Sequence, residues 1–207
     1  MASNKQVILD FYQNFIEGFI IGDLEVLDSI KPDTISGLKG CAIPTAMTII
    51  STIELLGFLL NKGSSTSDSS ANIKFFLHYN GNSFFPHNYF TGDVEEKICN
   101  YRQGMMHHFF PKFKGGVAGI CKNDNDENLF ITIRGREPNE ESLNVSILTR
   151  DFFEALNRFK VYLEEEQDDN FFNSIKIRLK DLEYNIEIYP QTTSCTTICP
   201  GTPQNRN

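Results

Sequence analysis

Arg102 and His107 are separated by four residues in the run Asn100-Tyr101-Arg102-Gln103-Gly104-Met105-Met106-His107-His108-Phe109-Phe110-Pro111, and they are the pair whose types and spacing suggest chemistry. A guanidinium stays charged at any physiological pH, whereas an imidazole titrates near neutrality. Together they could break a phosphodiester without a metal. Around them, Lys97, Arg102, Lys112, Lys114 and Lys122 fall in a window, residues 97–122, that holds no acid. That window is a candidate anion-facing patch, set against the plainer reading of solvated surface charge.

The elements that must position these residues are mostly helical. Ser3 and Gln6 have capping-box spacing, and Val7, Ile8, Phe11, Tyr12, Phe15, Ile16, Phe19 and Ile20 then recur on one helical face. After a break at Lys31-Pro32-Asp33, a second helix runs from about Cys41 to Lys62, with Pro44 in its first turn and Gly63 to stop it. It is apolar nearly all round and should be central. Its hydrophobic run, Ile43 to Leu60, carries Thr45, Thr48, Ser51, Thr52 and Glu54, which favours a buried core helix over a membrane span. A Ser-rich loop over residues 63–70 leads to a short helix over 71–79 with Ile73, Phe76 and Leu77 facing inward, and residues 80–90 are irregular. Thr91 can cap a fourth helix, acidic in its first turn and ending at Pro111.

Beyond it the period changes. Val117 to Cys121, Leu129 to Arg134 and Leu143 to Leu148 look like short strands of a small antiparallel hairpin or meander. Helical periodicity returns from Thr149, with Phe152, Phe153, Leu156, Phe159 and Leu163, and again from Asn170, with Phe171, Phe172, Ile175, Leu179 and Leu182; residues 164–169 form the turn between them. Tyr184 to Tyr189 alternates like a strand, and residues 190–207 form a flexible tail without a core pattern. The expected fold is mainly α: one domain over residues 1–189, with a helical bundle over 4–111, β segments over 117–148 and two helices over 149–183.

On an α-helix at about 100° per residue, Val94, Ile98, Tyr101, Met105 and His108 share one stripe, which should pack inward. Arg102 and His107 then stand on opposite sides of it, about 140° apart. They could serve one site if the helix distorts at Gly104, ends before His107, or meets its copy in a dimer. The competing reading pairs Arg102 with Glu54, a carboxylate on the apolar second helix that would otherwise be a costly buried charge.

Composition narrows the rest. The chain has 207 residues, is 40% hydrophobic, and carries a net charge of -8, which disfavours broad electrostatic binding to nucleic acid. Any RNA contact must be local. Five cysteines, Cys41, Cys99, Cys121, Cys195 and Cys199, lack metal-like spacing apart from a loose Cys195/Cys199 pair, and there is no secretory h-region at the start; a cytoplasmic protein is expected. The four histidines, His78, His87, His107 and His108, show no ligand spacing, so neither metal nor cofactor is predicted. Cys41 with His107 makes a poor case for a thiol nucleophile and its base. Lys114-Gly115-Gly116 is a turn, not a phosphate cradle. Asn144-Val145-Ser146 matches a glycosylation acceptor, without consequence in a cytoplasmic protein.

Arg102-Gln-Gly-Met-Met-His107, late in a run of four helices over residues 4–111, resembles the Arg-x4-6-His motif of the HEPN superfamily, whose helical bundle carries the motif in its last long helix. The pattern is also similar to that of a group of uncharacterised bacterial proteins. The resemblance implies metal-independent RNA cleavage, often by a homodimer with a shared cleft, and often in toxin or defence systems. His107 would be the general base or acid at the ribose 2′-hydroxyl and Arg102 would stabilise charge on the phosphorane. Gln103 departs from the Asn, Asp or His frequent after the arginine in active members, and many HEPN-like domains serve only for binding. The segment over 117–189 lies outside the resemblance. The sequence is thus compatible with two functions: a HEPN-like helical interaction protein, with a protein partner or a second copy, and an endoribonuclease using Arg102 and His107.

Overall fold

The structure of the protein, a computed structural model, describes residues 2–30, 40–79, 84–86, 89, 92–108, 112–113, 116–133 and 140–184. It is mainly helical. Ser3 starts the first helix as its spacing predicts, its Oγ accepting from the Gln6 amide at 3.1 Å. Helix α1 (Asn4–Phe11) passes without a break into a π-helical segment (Tyr12–Ile21) and then into α2 (Gly22–Ser29). The single α-period expected here is therefore corrected. The wider i→i+5 turns slow the rotation of the apolar row, so that Ile8, Tyr12, Ile16 and Leu24, spaced at multiples of four, all stay buried. Phe19, counted on the same face in the sequence, is 52% exposed.

Helix α3 (Ala42–Leu60) is central, as its composition predicts: it packs on α2 and on four further helices, α4 (Ser69–Leu77), α5 (Gly92–His108), α6 (Val145–Glu165) and α7 (Asp169–Asp181). By length and composition alone α3 could cross a membrane, with a mean hydropathy of 1.7, yet 61% of that apolar window is buried inside the protein. The approach of α4 is set by Gly57, where a Cβ would meet the Asn72 carbonyl oxygen at 1.8 Å. No side chain fits there. At its C-terminal end α3 is held by Arg178 of α7, which donates from Nε to the Phe58 carbonyl at 2.6 Å and from Nη2 to the Ser64 carbonyl at 2.7 Å. Its guanidinium also lies 4.0 Å from the centre of the Phe58 ring. A cation against the last carbonyls of a helix meets the negative end of the helix dipole, which offsets the cost of its burial.

Helices α6 and α7 follow the predicted apolar faces, with Phe152, Leu156, Phe159, Leu163, Phe172, Ile175 and Leu179 in the core. Helix α6 begins four residues before the expected Thr149, however, and this shortens the strand expected over 143–148. The cause is Asn144. Its Nδ2 donates to the Asn123 and Asp126 carbonyls and its Oδ1 accepts from the Asn123 amide, which stops the strand and staples the 123–126 turn across its end. Asn144 is fully buried, so the acceptor motif is closed to a glycan in the folded chain.

The strands β1 (Lys112–Phe113), β2 (Gly116–Cys121), β3 (Phe130–Ile133) and β4 (Glu140–Asn144) form one sheet in the order β1-β2-β4-β3. This corrects the expected antiparallel hairpin or meander: β4 pairs parallel with β2, Ile120 opposite Leu143, and antiparallel with β3, Phe130 opposite Leu143. The sheet is mixed because β4 inserts between its two predecessors. Its central position suits the buried Leu143. Tyr184 stacks edge-on against Phe11 at 5.1 Å and Phe15 at 5.8 Å. The expected strand over 185–189, the tail over 190–207, the Lys31-Pro32-Asp33 break, the Thr91 cap and the Pro111 stop lie outside the described residues, as does the His108 side chain.

Candidate functional site

Helix α5 takes the predicted register. Ile98, Tyr101 and Met105 are buried, Val94 packs on the core, and the Tyr101 hydroxyl donates to the Glu141 carbonyl of β4 at 3.0 Å. The helix runs unbroken through Gly104 to His108, so neither the distortion nor the early end considered above occurs. With that stripe fixed inward, Arg102 is turned toward α3 and Gln103 and His107 toward solvent.

Arg102 meets Glu54 as a fork: Nε donates to Oε2 at 2.8 Å and Nη2 to Oε1 at 3.0 Å. The side chains are 21% and 15% exposed. Planar bidentate pairs of this kind are the strong ones, because both hydrogen bonds are charge-assisted and share one geometry. The pair is not sealed in the core. Arg102 also lines an open cleft of about 420 Å³, together with Cys99, Gln103 and His107 from α5 and with Ser67, Asp68, Ser69, Ser70 and Ala71 from the loop and first turn of α4. The cleft embraces the arc between Arg102 and His107, with Gln103 between them. Both predicted residues thus share one solvent-connected site within a single chain, while the predicted ion pair is also formed.

The walls are tied to each other. His78, at the end of α4, pairs with the buried Glu95 of α5, and the Cys99 Sγ lies 4.0 Å from the Ser70 carbonyl. Asp68 begins α4 but does not cap it, since its Oδ2 accepts from the Ser65 amide at 3.0 Å and hydroxyl at 3.1 Å. Burial pushes the Cys99 thiol above its ordinary range, which leaves it a poor nucleophile. Cys41 does not line this cleft. Among the described residues no group of three His, Cys, Asp or Glu could hold a metal.

The anion-facing patch expected over 97–122 does not form from the three basic side chains described there. Lys97 reaches Asp93 at 2.8 Å and Glu141 at 2.9 Å, Arg102 is held by Glu54, and Lys122 sits 3.2 Å from Asp28 while donating to the Leu27 carbonyl at 3.0 Å. Asp93, one turn earlier on α5, and tertiary contacts from Glu141, Glu54 and Asp28 supply the acids that the window lacks. Nor are these side chains solvated: Lys97 is 14% exposed and Lys122 5%. The Ser67–Ala71 wall was invisible in the sequence, where nothing but serine content marked that loop. Compared with protein-family models, curated proteins and solved structures, the chain matches none of them.

Proposed function

We propose that this chain is a HEPN-like helical interaction protein, acting in the cytoplasm, in which Arg102 organises the bundle instead of cutting RNA. The observation that carries the reading is the Glu54–Arg102 fork. A guanidinium with Nε and Nη2 engaged by a carboxylate has its charge balanced within the chain. It therefore offers less to a phosphorane, whose stabilisation depends on donors aimed at the charge as it develops. Asp68 in the cleft wall and the net charge of -8 further oppose the approach of a polyanion. The cleft then serves as a polar contact surface, with Gln103 and His107 at its rim.

The ribonuclease reading keeps one observation in its favour, namely that Arg102 and His107 open onto the same cleft. In that reading His107 moves the proton at the 2′-hydroxyl, Arg102 meets the phosphorane, and a second copy can complete the cleft. The test is incubation of a mixed RNA pool with chelator present, comparing the wild type with His107→Ala after circular dichroism has shown both folded. The interaction reading expects no cleavage by either. Cleavage by the wild type that His107→Ala abolishes would overturn it, and light scattering would then show whether a dimer is required.

A further inference from the structure

Among the described residues, three of the six exposed large hydrophobics, Phe19, Val26 and Ile30, lie in the N-terminal helical run or at its C-cap, at 52%, 63% and 41% exposure. Val26 extends a row begun by Gly18 and Gly22, each four residues from the next on one helical face, and Ile30, the cap of α2, follows at the same spacing. Among the described residues nothing packs closely enough to require either glycine. A Cβ at Gly22 would find nothing within 4 Å, and one at Gly18 would make only an ordinary contact of 3.6 Å with the Gln13 carbonyl, in contrast to Gly57. Glycine weakens a helix relative to alanine, so a pair of them on an open face suits a surface that another backbone approaches closely. The π-helical segment ends at Ile21, beside this face, and such segments concentrate at functional positions.

Charge selects the occupant. Residues 6–30 contain five acids, Asp10, Glu17, Asp23, Glu25 and Asp28, and no Lys, Arg or His. Lys160 answers Glu17 at 2.8 Å and Lys122 answers Asp28 at 3.2 Å. Asp23 and Glu25 are exposed, without an ion-pair partner among the described residues, and lie on either side of the Gly22–Val26 row. A second copy docked on this face would bring like charges together in a partly desolvated seam. We propose that the face centred on Gly22 and Val26 is the docking surface for a basic amphipathic helix of another protein, its apolar stripe on Phe19, Val26 and Ile30 and its Lys or Arg flanks toward Asp23 and Glu25. This rests on the interaction reading of the chain, but on a different element from the cleft.

The test uses two synthetic helical peptides of ~18 residues with the same leucine stripe, one with lysine flanks and one with glutamate flanks, titrated against the full chain by fluorescence anisotropy. The lysine peptide should bind at least about tenfold more tightly, and Gly22→Leu should remove at least about tenfold of that affinity. A double Asp23→Lys, Glu25→Lys variant should invert the preference between the peptides, which a merely unfolded face would not do. Equal binding of the two peptides, or binding unaffected by Gly22→Leu, overturns the proposal. So does a wild-type dimer, seen by light scattering, that Gly22→Leu dissociates, because the occupant is then a second copy. His107→Ala should leave peptide binding unchanged; RNA cleavage by the wild type would therefore overturn the reading of the cleft without touching this result.

Discussion

Two segments of this chain are mirror images in sequence and opposites in the fold. Residues 97–122 carry five cations and no acid, whereas residues 6–30 carry five acids and no cation. Folding cancels the first wherever its basic side chains are described: Lys97 takes Asp93 and Glu141, Arg102 takes Glu54, and Lys122 takes Asp28. It leaves part of the second exposed, at Asp23 and Glu25. A charge run in a sequence thus states what must be compensated, not where the field will be. The acid-free window was a candidate anion-facing patch, and the base-free helix is where exposed apolar side chains stand beside unpaired acids among the described residues.

The comparison breaks most sharply at its best-paired cation. Glu54→Ala should cost about 3 kcal/mol, measured by urea denaturation, since Arg102 would keep a mostly buried guanidinium without its carboxylate. A double Glu54→Ala, Arg102→Met variant should recover much of that loss, and with Arg102→Met alone it completes the cycle that gives the coupling between the two residues. Recovery absent from the double variant would mean that the fork is incidental to the bundle. Next in size is Lys122→Met, which removes donors to the Leu27 and Asp28 carbonyls at the end of α2 and should cost about 2 kcal/mol.

On the other side of the comparison the sign reverses. Gly22→Ala should raise stability by up to about 1 kcal/mol, read as an increased melting temperature, because the helix gains a better former and the added methyl meets nothing. A loss instead would show that the face is already packed. The smallest effect concerns pH. Burial pulls the Lys97 ammonium down, but the hydrogen bonds it donates to Asp93 and Glu141 outweigh it and hold the group above its ordinary 10.5. A folded value above the unfolded one contributes stability that is complete below pH 10.5 and is lost as pH rises through the folded value. Lys97→Met should therefore flatten the alkaline limb of a melting-temperature profile.

Some residues announced their places and others could not. Ile98, Tyr101 and Met105 fixed the face of α5 by period alone, and Glu54 was identified as the partner of Arg102 because a lone carboxylate on an apolar helix needs a cation. Ser67 to Ala71 gave no such sign, since a loop that lines a cleft carries no periodicity of its own. Leu143 to Leu148 misled because buried strand and buried helix share an apolar run; the Asn144 side chain, bonded to a turn some twenty residues earlier, decided the boundary.

By itself, then, the sequence determined the helices of the bundle, the central role of α3 and the inward stripe of α5, because hydrophobic period and capping act over a few residues and need no knowledge of distant chain. The strand order, the π-helical segment of the N-terminal run, the distant acids that answer Lys97, Arg102 and Lys122, and the cleft that joins Arg102 to His107 were decided by tertiary structure. Each depends on which segments meet across the core, and that choice is made by packing and by the cost of burying an unpaired charge.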